Sequence, residues 1–253
     1  MATIDLNADV GEDPAALASG AEAALLDCVS SANVACGGHA GDADTMAAVV
    51  GLCRARGVAV GAHPSFPDRA RFGRVDLDLP AKDIEAAVHA QVATLARIAR
   101  AQGVALRHVK AHGALYHAAS RRPEIADAVA AGARAACGDI VLVGQAGSAA
   151  VRRWRALGLH VRAEAFADRR YEAGGALRAR DLPGALLCDP QEAAAQAVRL
   201  ARGEGVVAAD GTVISLTADT ICLHGDTPGA LAIARAVRAA LLAAGVTVRA
   251  FGV

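Results

Sequence analysis

Five times in 253 residues, a short apolar run delivers a polar side chain and then breaks at glycine, proline or a loop. Asp5-Leu6-Asn7-Ala8-Asp9 is the first. Ala32-Asn33-Val34-Ala35-Cys36-Gly37-Gly38-His39-Ala40-Gly41-Asp42, Gly61-Ala62-His63-Pro64, Val109-Lys110-Ala111-His112-Gly113 and Cys222-Leu223-His224-Gly225-Asp226 follow. A buried strand reads this way when it carries a functional group to its carboxyl end. Few folds place that many strand ends near one another.

The segments between these runs have helical composition. The sequence predicts strands over Thr3 to Asp9, Ser31 to Cys36, Val58 to Ala62, Arg107 to His112, Ile140 to Val143, His160 to Phe166, Thr220 to Leu223 and Thr247 to Phe251. Helices are expected over Pro14 to Val29, from an Asp42 cap to Arg56, and over Pro80 to Gln102, Pro123 to Ala136, Ser148 to Leu157, Pro190 to Arg202 and Pro228 to Ala244. Val206 to Leu216, broken by Asp210-Gly211, reads as a small hairpin. Glu172 to Leu187 has no clear period and reads as a functional loop or lid. Alternating strands and helices argue for a parallel sheet covered by helices. A closed barrel is favoured over an open sheet, because polar residues end strands from first to last and only a barrel gathers all those ends into one ring. No linker divides the chain, so one α/β domain, a single-domain β/α barrel over residues 1–253, is expected.

Lys+Arg and Asp+Glu both number 26, so no net field draws the chain to nucleic acid or to an anionic membrane. The N-terminus lacks the pattern of a signal peptide, and no apolar run approaches the roughly 20 residues of a membrane span. Six cysteines without a C-x-x-C pair suit reduced thiols in a cytoplasmic protein.

Asp9, His39, His63, His112, Glu164 and His224 fall at six predicted strand ends, with Asp42, Asp168 and Asp226 just beyond three of them. Such a set suits proton transfer or metal binding. His89, His108, His117 and His160 read as structural or peripheral. Lys110 shares a strand face with His112, and is either a cation for a carbonyl or carboxylate or a structural partner of Asp5, Asp9 or Glu164. Arg169 and Arg170 flank Asp168, and one of them suits a substrate carboxylate. Cys36 is a weaker nucleophile candidate, reading better as a buried thiol. No Walker A loop, dinucleotide fingerprint or nucleophile elbow is present.

Six segments resemble the LamB/YcsF family of 5-oxoprolinase A subunits: Asp5 to Glu12, Ala32 to Asp42, Gly61 to Asp68, His112 to Tyr116, Glu164 to Arg169 and His224 to Asp226. They occur in the family's order, from Asp5 to the end of the chain. The resemblance implies a distorted barrel of about seven strands, related to the glycoside hydrolase and polysaccharide deacetylase barrels. It implies opening of 5-oxo-L-proline to L-glutamate, with ATP (with Mg2+) hydrolysed to ADP and phosphate, in a complex with subunits B and C. Carried onto this sequence, it marks Asp9, His39, His63, His112, Glu164 and His224 as catalytic. It marks Asn7, Asn33, Lys110, Asp168, Arg169 and Asp226 as substrate-binding, and assigns no metal ligand. One departure is Ala111, where the family usually has proline. Two other readings stay open: a metal-dependent deacetylase with Asp9, His39 and His63 as ligands, and a non-catalytic subunit that holds the substrate.

Overall fold

The computed structural model describes residues 2–251. Seven parallel strands close into a barrel: β1 (Thr3–Val10), β2 (Ser31–Ala35), β3 (Ala59–His63), β4 (His108–Lys110), β5 (Val141–Gln145), β6 (Val161–Phe166) and β9 (Thr220–Leu223). Each of these pairs with the next, and β9 closes the ring on β1 in the register Asp5↔Thr220 to Ala8↔Leu223. Between β6 and β9 lies the expected hairpin, β7 (Val206–Val207) and β8 (Val213–Ile214). The last strand, β10 (Thr247–Val248), extends only the amino end of β1.

Helices α1 (Pro14–Ser19), α2 (Ala21–Leu26), α3 (Ala43–Arg56), α4 (Ala81–Ala101), α5 (Gly113–Arg121), α6 (Pro123–Cys137), α7 (Ala149–Ala156), α8 (Pro190–Ala201) and α9 (Ala230–Ala243) cover the barrel. Leu6, Ala8 and Val10 of β1, like Val34 of β2 and Val109 of β4, are buried in one continuous core with Val49, Val92, Leu95, Leu200 and Val237 of these helices. Aromatics make up only 3% of the chain, so that core is built from Ala, Val and Leu.

Two expectations change. The helix expected over Pro14 to Val29 is two short ones, because Gly20 adopts φ +80, ends α1 and begins α2. Helix α5, which the sequence pattern does not reveal, starts at once behind the His112 turn and stops at Arg122, where Pro123 opens the next helix. Asp42 caps α3 by accepting from the Thr45 amide, which removes it from the chemistry. No helix among the described residues is long and apolar enough to cross a membrane.

The barrel interior departs from the branched apolar filling usual in such barrels. Asp5 and Asn7 of β1, Ser31 and Asn33 of β2, His108 and Lys110 of β4, Glu164 of β6 and Thr220 of β9 are all buried. They hydrogen-bond to one another across the barrel.

Candidate active site

The lowest polar layer is centred on Asp5. Its carboxylate accepts from Ser30 Oγ and Ser31 Oγ, both at 2.8 Å, and from Thr220 Oγ1 at 2.5 Å. Above it, His108 Nε2 meets Asn33 Oδ1 at 2.7 Å, and Asn33 Nδ2 donates to Asn7 Oδ1 at 2.7 Å and to Asp9 Oδ1 at 2.8 Å. Asn7 Nδ2 donates to Glu164 Oε1 at 3.1 Å. His108 fits because residue 61 is glycine: a Cβ there would lie 2.1 Å from His108 Nε2. Burial and the nearby Lys110 push the His108 imidazole down to about 3, so it is neutral.

Lys110 tops this network. Its Nζ lies 2.9 Å from Asp9 Oδ1, 3.0 Å from Glu164 Oε1 and 3.1 Å from Cys222 Sγ. Burial opposes its charge, but Asp9 and the other acceptors outweigh that and hold the ammonium well above its ordinary value. Burial likewise opposes the Asp9 carboxylate, and His63 and Lys110 hold it well below the usual range. Of the two readings of Lys110, the pairing one describes its contacts, and those partners are Asp9 and Glu164.

Four side chains meet beside Asp9. Glu12 Oε1 lies 2.8 Å from His39 Nε2, 3.2 Å from His112 Nδ1 and 3.8 Å from His63 Nε2. His63 Nε2 is 3.2 Å from Asp9 Oδ2 and 3.1 Å from His112 Nδ1. The His39 and His112 rings stack with centroids 3.6 Å apart. Gly73, at φ +62, lets the loop before α4 close over them, since a Cβ there would meet His39 and His112 atoms at 3.1 and 3.2 Å. Donors of this type, three imidazoles and a carboxylate, are those that hold a transition metal. Asp9, Cys222 and His224 form a second such group.

Across the mouth, His224 Nδ1 lies 3.0 Å from Asp168 Oδ1, and the His224 amide and Thr227 Oγ1 donate to Asp168 Oδ2 at 3.0 and 2.7 Å. Asp168 is buried. Burial would raise its carboxyl, but His224 and these hydrogen bonds hold it below its ordinary value. The expected substrate-binding role of Asp168 does not match this geometry: its oxygens are taken up in orienting His224. With Nδ1 engaged by the carboxylate, Nε2 is the nitrogen left for the cavity, and the ring stacks on Phe166.

These groups line an open cavity of about 440 Å³ at the carboxyl ends of the strands. Of the residues marked in the sequence, Asp9, His63, Lys110, His112, Arg169, His224 and Asp226 reach it. Asn7, Asn33 and Glu164 lie beneath its floor and His39 behind His112. The segment Glu172 to Leu187 forms one wall with Leu177, Arg178, Ala179 and Arg180. Arg169 fastens that wall by donating to the Arg178 carbonyl at 2.7 Å. Asp226 sits at the rim between Arg74 at 2.6 Å and Arg180 at 2.9 Å. Arg170 pairs outside with Glu192.

Three residues of the site are not evident from the sequence. Glu12 falls in a predicted loop, although it stands three residues beyond Asp9 in a motif rich in acids. Tyr116 and His117 also line the cavity, on helix α5. His117, expected at the periphery, is pushed down to about 4 by burial and nearby arginines. Cys36 is no nucleophile: burial pushes its thiol up to about 12.

The sequence profile of the LamB/YcsF family matches residues 4–253. A protein from Chloroflexus aggregans that is named as the A subunit of 5-oxoprolinase is 54% identical over 249 residues, covering 98% of this chain and 99% of that protein. The crystal structure of a lactam utilization protein from Thermus thermophilus superposes with a TM-score of 0.91 at 44% identity, covering 98% of this chain and all of that one (100%). A family 4 carbohydrate esterase from Streptomyces lividans shares the fold alone, at 13% identity and a TM-score of 0.50, with 99% of this chain and 93% of that one covered. The expected seven-stranded barrel of the deacetylase type is therefore the fold of this protein, and the match along its whole length places the chain in the LamB/YcsF family.

Proposed function

We propose that this chain is the component of a 5-oxoprolinase that binds 5-oxo-L-proline at the barrel mouth and opens its lactam to give L-glutamate. The observation that carries this reading is the composition of one cavity. Proton-transfer groups (Asp9, Lys110, His224) lie at its base, and arginines (Arg74, Arg169, Arg178, Arg180) lie along its wall. 5-Oxo-L-proline offers one carboxylate for an arginine and one amide for the base. The volume leaves room for a phosphoryl group as well. The name borne by the Chloroflexus relative points to the same reaction.

An unstrained lactam is a stable amide, and coupling to ATP makes its opening favourable. Phosphorylating the lactam oxygen activates the carbonyl carbon. Water then adds to that carbon, the C–N bond breaks, and the ring nitrogen takes a proton to become the α-amino group of glutamate. A second water releases phosphate from the γ-carboxyl. In this reading His224, held by Asp168, moves the protons. Lys110, with its charge fixed by Asp9 and Glu164, faces the oxygen that gathers negative charge. Arg169 and Arg180 hold the substrate carboxylate and the phosphoryl group. ATP with Mg2+ is the co-substrate of the assembled enzyme, and subunits B and C are its partners. The Chloroflexus relative is named as one subunit among several, which supports an assembly of this kind.

Glutamate release from 5-oxo-L-proline tests the proposal, with and without ATP, using this chain alone and mixed with subunits B and C. Release that needs ATP and stops when this chain is left out is the expected result. Equal release without this chain refutes it.

A further inference from the structure

We propose that Glu12, His39, His63 and His112 form a binding site for one divalent transition-metal ion of the zinc class. The inference stands on the geometry of these side chains and does not depend on the lactam reaction.

Two backbone carbonyls decide which imidazole nitrogens carry hydrogen. His63 Nδ1 lies 2.8 Å from the Lys110 carbonyl oxygen, and His112 Nε2 lies 3.0 Å from that of Phe72. A carbonyl only accepts, so both of these nitrogens donate. In the neutral rings the opposite nitrogens, His63 Nε2 and His112 Nδ1, then carry lone pairs. Those two nitrogens face each other at 3.1 Å. Glu12 Oε1 lies 3.2 Å from one of them, and Asp9 Oδ2 lies 3.2 Å from the other. Acceptors packed against acceptors need a positive centre among them.

A metal ion suits that place. Four donor atoms, one from each residue, lie within 4.8 Å of one another. Bonds of the length zinc makes to nitrogen and oxygen put tetrahedral ligands about 3.3–3.5 Å apart. The observed separations of 2.8, 3.1, 3.2 and 3.8 Å bracket that spacing. The carbonyl bonds to His63 and His112 are the outer contacts that fix the tautomer and aim of metal-bound imidazoles. The His39 and His63 side chains are almost fully buried, whereas Glu12 and His112 open on the cavity. A bound ion would therefore be held from within and keep one side toward the substrate space. Three imidazoles and one carboxylate select zinc, cobalt, nickel or iron over magnesium, so this ion is distinct from one carried by a nucleotide.

The full chain, freed of metal by chelator and desalted, is titrated with Co2+ while visible absorption and bound metal per chain are read. One Co2+ per chain, displaced by Zn2+ and lacking a sulfur-to-cobalt charge-transfer band, is expected. His63→Ala and His112→Ala should weaken binding at least about 100-fold, beyond the 10- to 100-fold typical of outer contacts. Glu12→Gln, nearly the same shape, should also weaken it, with an unchanged circular dichroism spectrum separating lost binding from lost folding. His160→Ala, on the surface beside Asp139, should bind as the parent does. Absence of saturable binding, or binding that survives Glu12→Gln and His112→Ala, overturns the proposal. So does a sulfur-to-cobalt band, which would place the ion at Asp9, Cys222 and His224.

Discussion

Lys110 stands between Asp9 and Glu164 with almost no access to water. Its ammonium neutralises two buried carboxylates, so removing it leaves charges without a partner. Lys110→Met is expected to destabilise the fold by about 3–5 kcal/mol, as breaking buried ion pairs does; urea unfolding gives the value, and a loss below about 1 kcal/mol would contradict the pairing. Glu22 carries the opposite lesson. Burial pushes its carboxyl from 4.5 up to about 7, although the Gly11 amide donates to it at 2.9 Å. The folded state therefore holds this proton more tightly than the unfolded one. Its contribution is complete below about 4.5 and is lost as the pH rises to about 7, by up to roughly 3 kcal/mol. Glu22→Gln keeps the acceptor and should flatten that part of the stability profile; an unchanged slope between pH 4.5 and 7 contradicts it. Asp168 acts through His224. Asp168→Asn should lower kcat for glutamate release by the assembled enzyme about 10²- to 10⁴-fold and change its pH profile, with KM little altered. A rise in KM alone would return Asp168 to substrate binding. The strand-end histidines and Lys110 were legible because glycine, proline or a shared strand face marks them. Glu12 was not, since nothing in the loop Val10-Gly11-Glu12-Asp13 shows which of its two acids turns toward His39.

Helices α4 and α6 lie against each other at Gly132. A Cβ there would sit 2.5 Å from the Glu85 carbonyl oxygen and 2.9 Å from Val88 Cβ. Helix propensity alone favours alanine by about 1 kcal/mol. The close approach should win, so Gly132→Ala is expected to destabilise the protein by about 1–3 kcal/mol in thermal or urea unfolding. A more stable variant would show that the two helices can move apart freely. Elements with a strong period or a clear stop were legible at this scale: α3 with its Asp42 cap and Gly57 stop, and β9 at its own limits. The division at Gly20 was not, because glycine inside an Ala/Leu-rich run also occurs within single helices. Strand β4 has only three residues, too few for a period to fix its ends. The wall from Glu172 to Leu187 was legible only as irregular. Its shape comes from contacts outside the segment, such as the Leu187 amide on the Asp168 carbonyl and Arg169 on that of Arg178.

Across the whole molecule, alternating strands and helices with polar strand ends pointed to a closed barrel, and the ring from β1 to β9 is that barrel. Its polar interior was harder to foresee. Asp5, Asn7 and Asp9 alternate along β1, but alternation does not say whether the polar side faces solvent or the inside of a closed ring. Closure turns that side inward and stacks Asp5, Asn33, Lys110 and the mouth groups in successive layers. The cavity thus rests on a hydrogen-bonded scaffold that runs the depth of the barrel. The central claim is that this cavity opens the lactam, and the rate of ATP-dependent glutamate release by the complex with subunits B and C tests it most directly. The parent chain is compared with Asp9→Asn, which leaves Lys110 its bond to Glu164. A fall of about 10²-fold or more, with the variant still co-purifying with both subunits, is the predicted result. A rate within a few-fold of the parent would contradict the account and move the chemistry away from the mouth of this barrel.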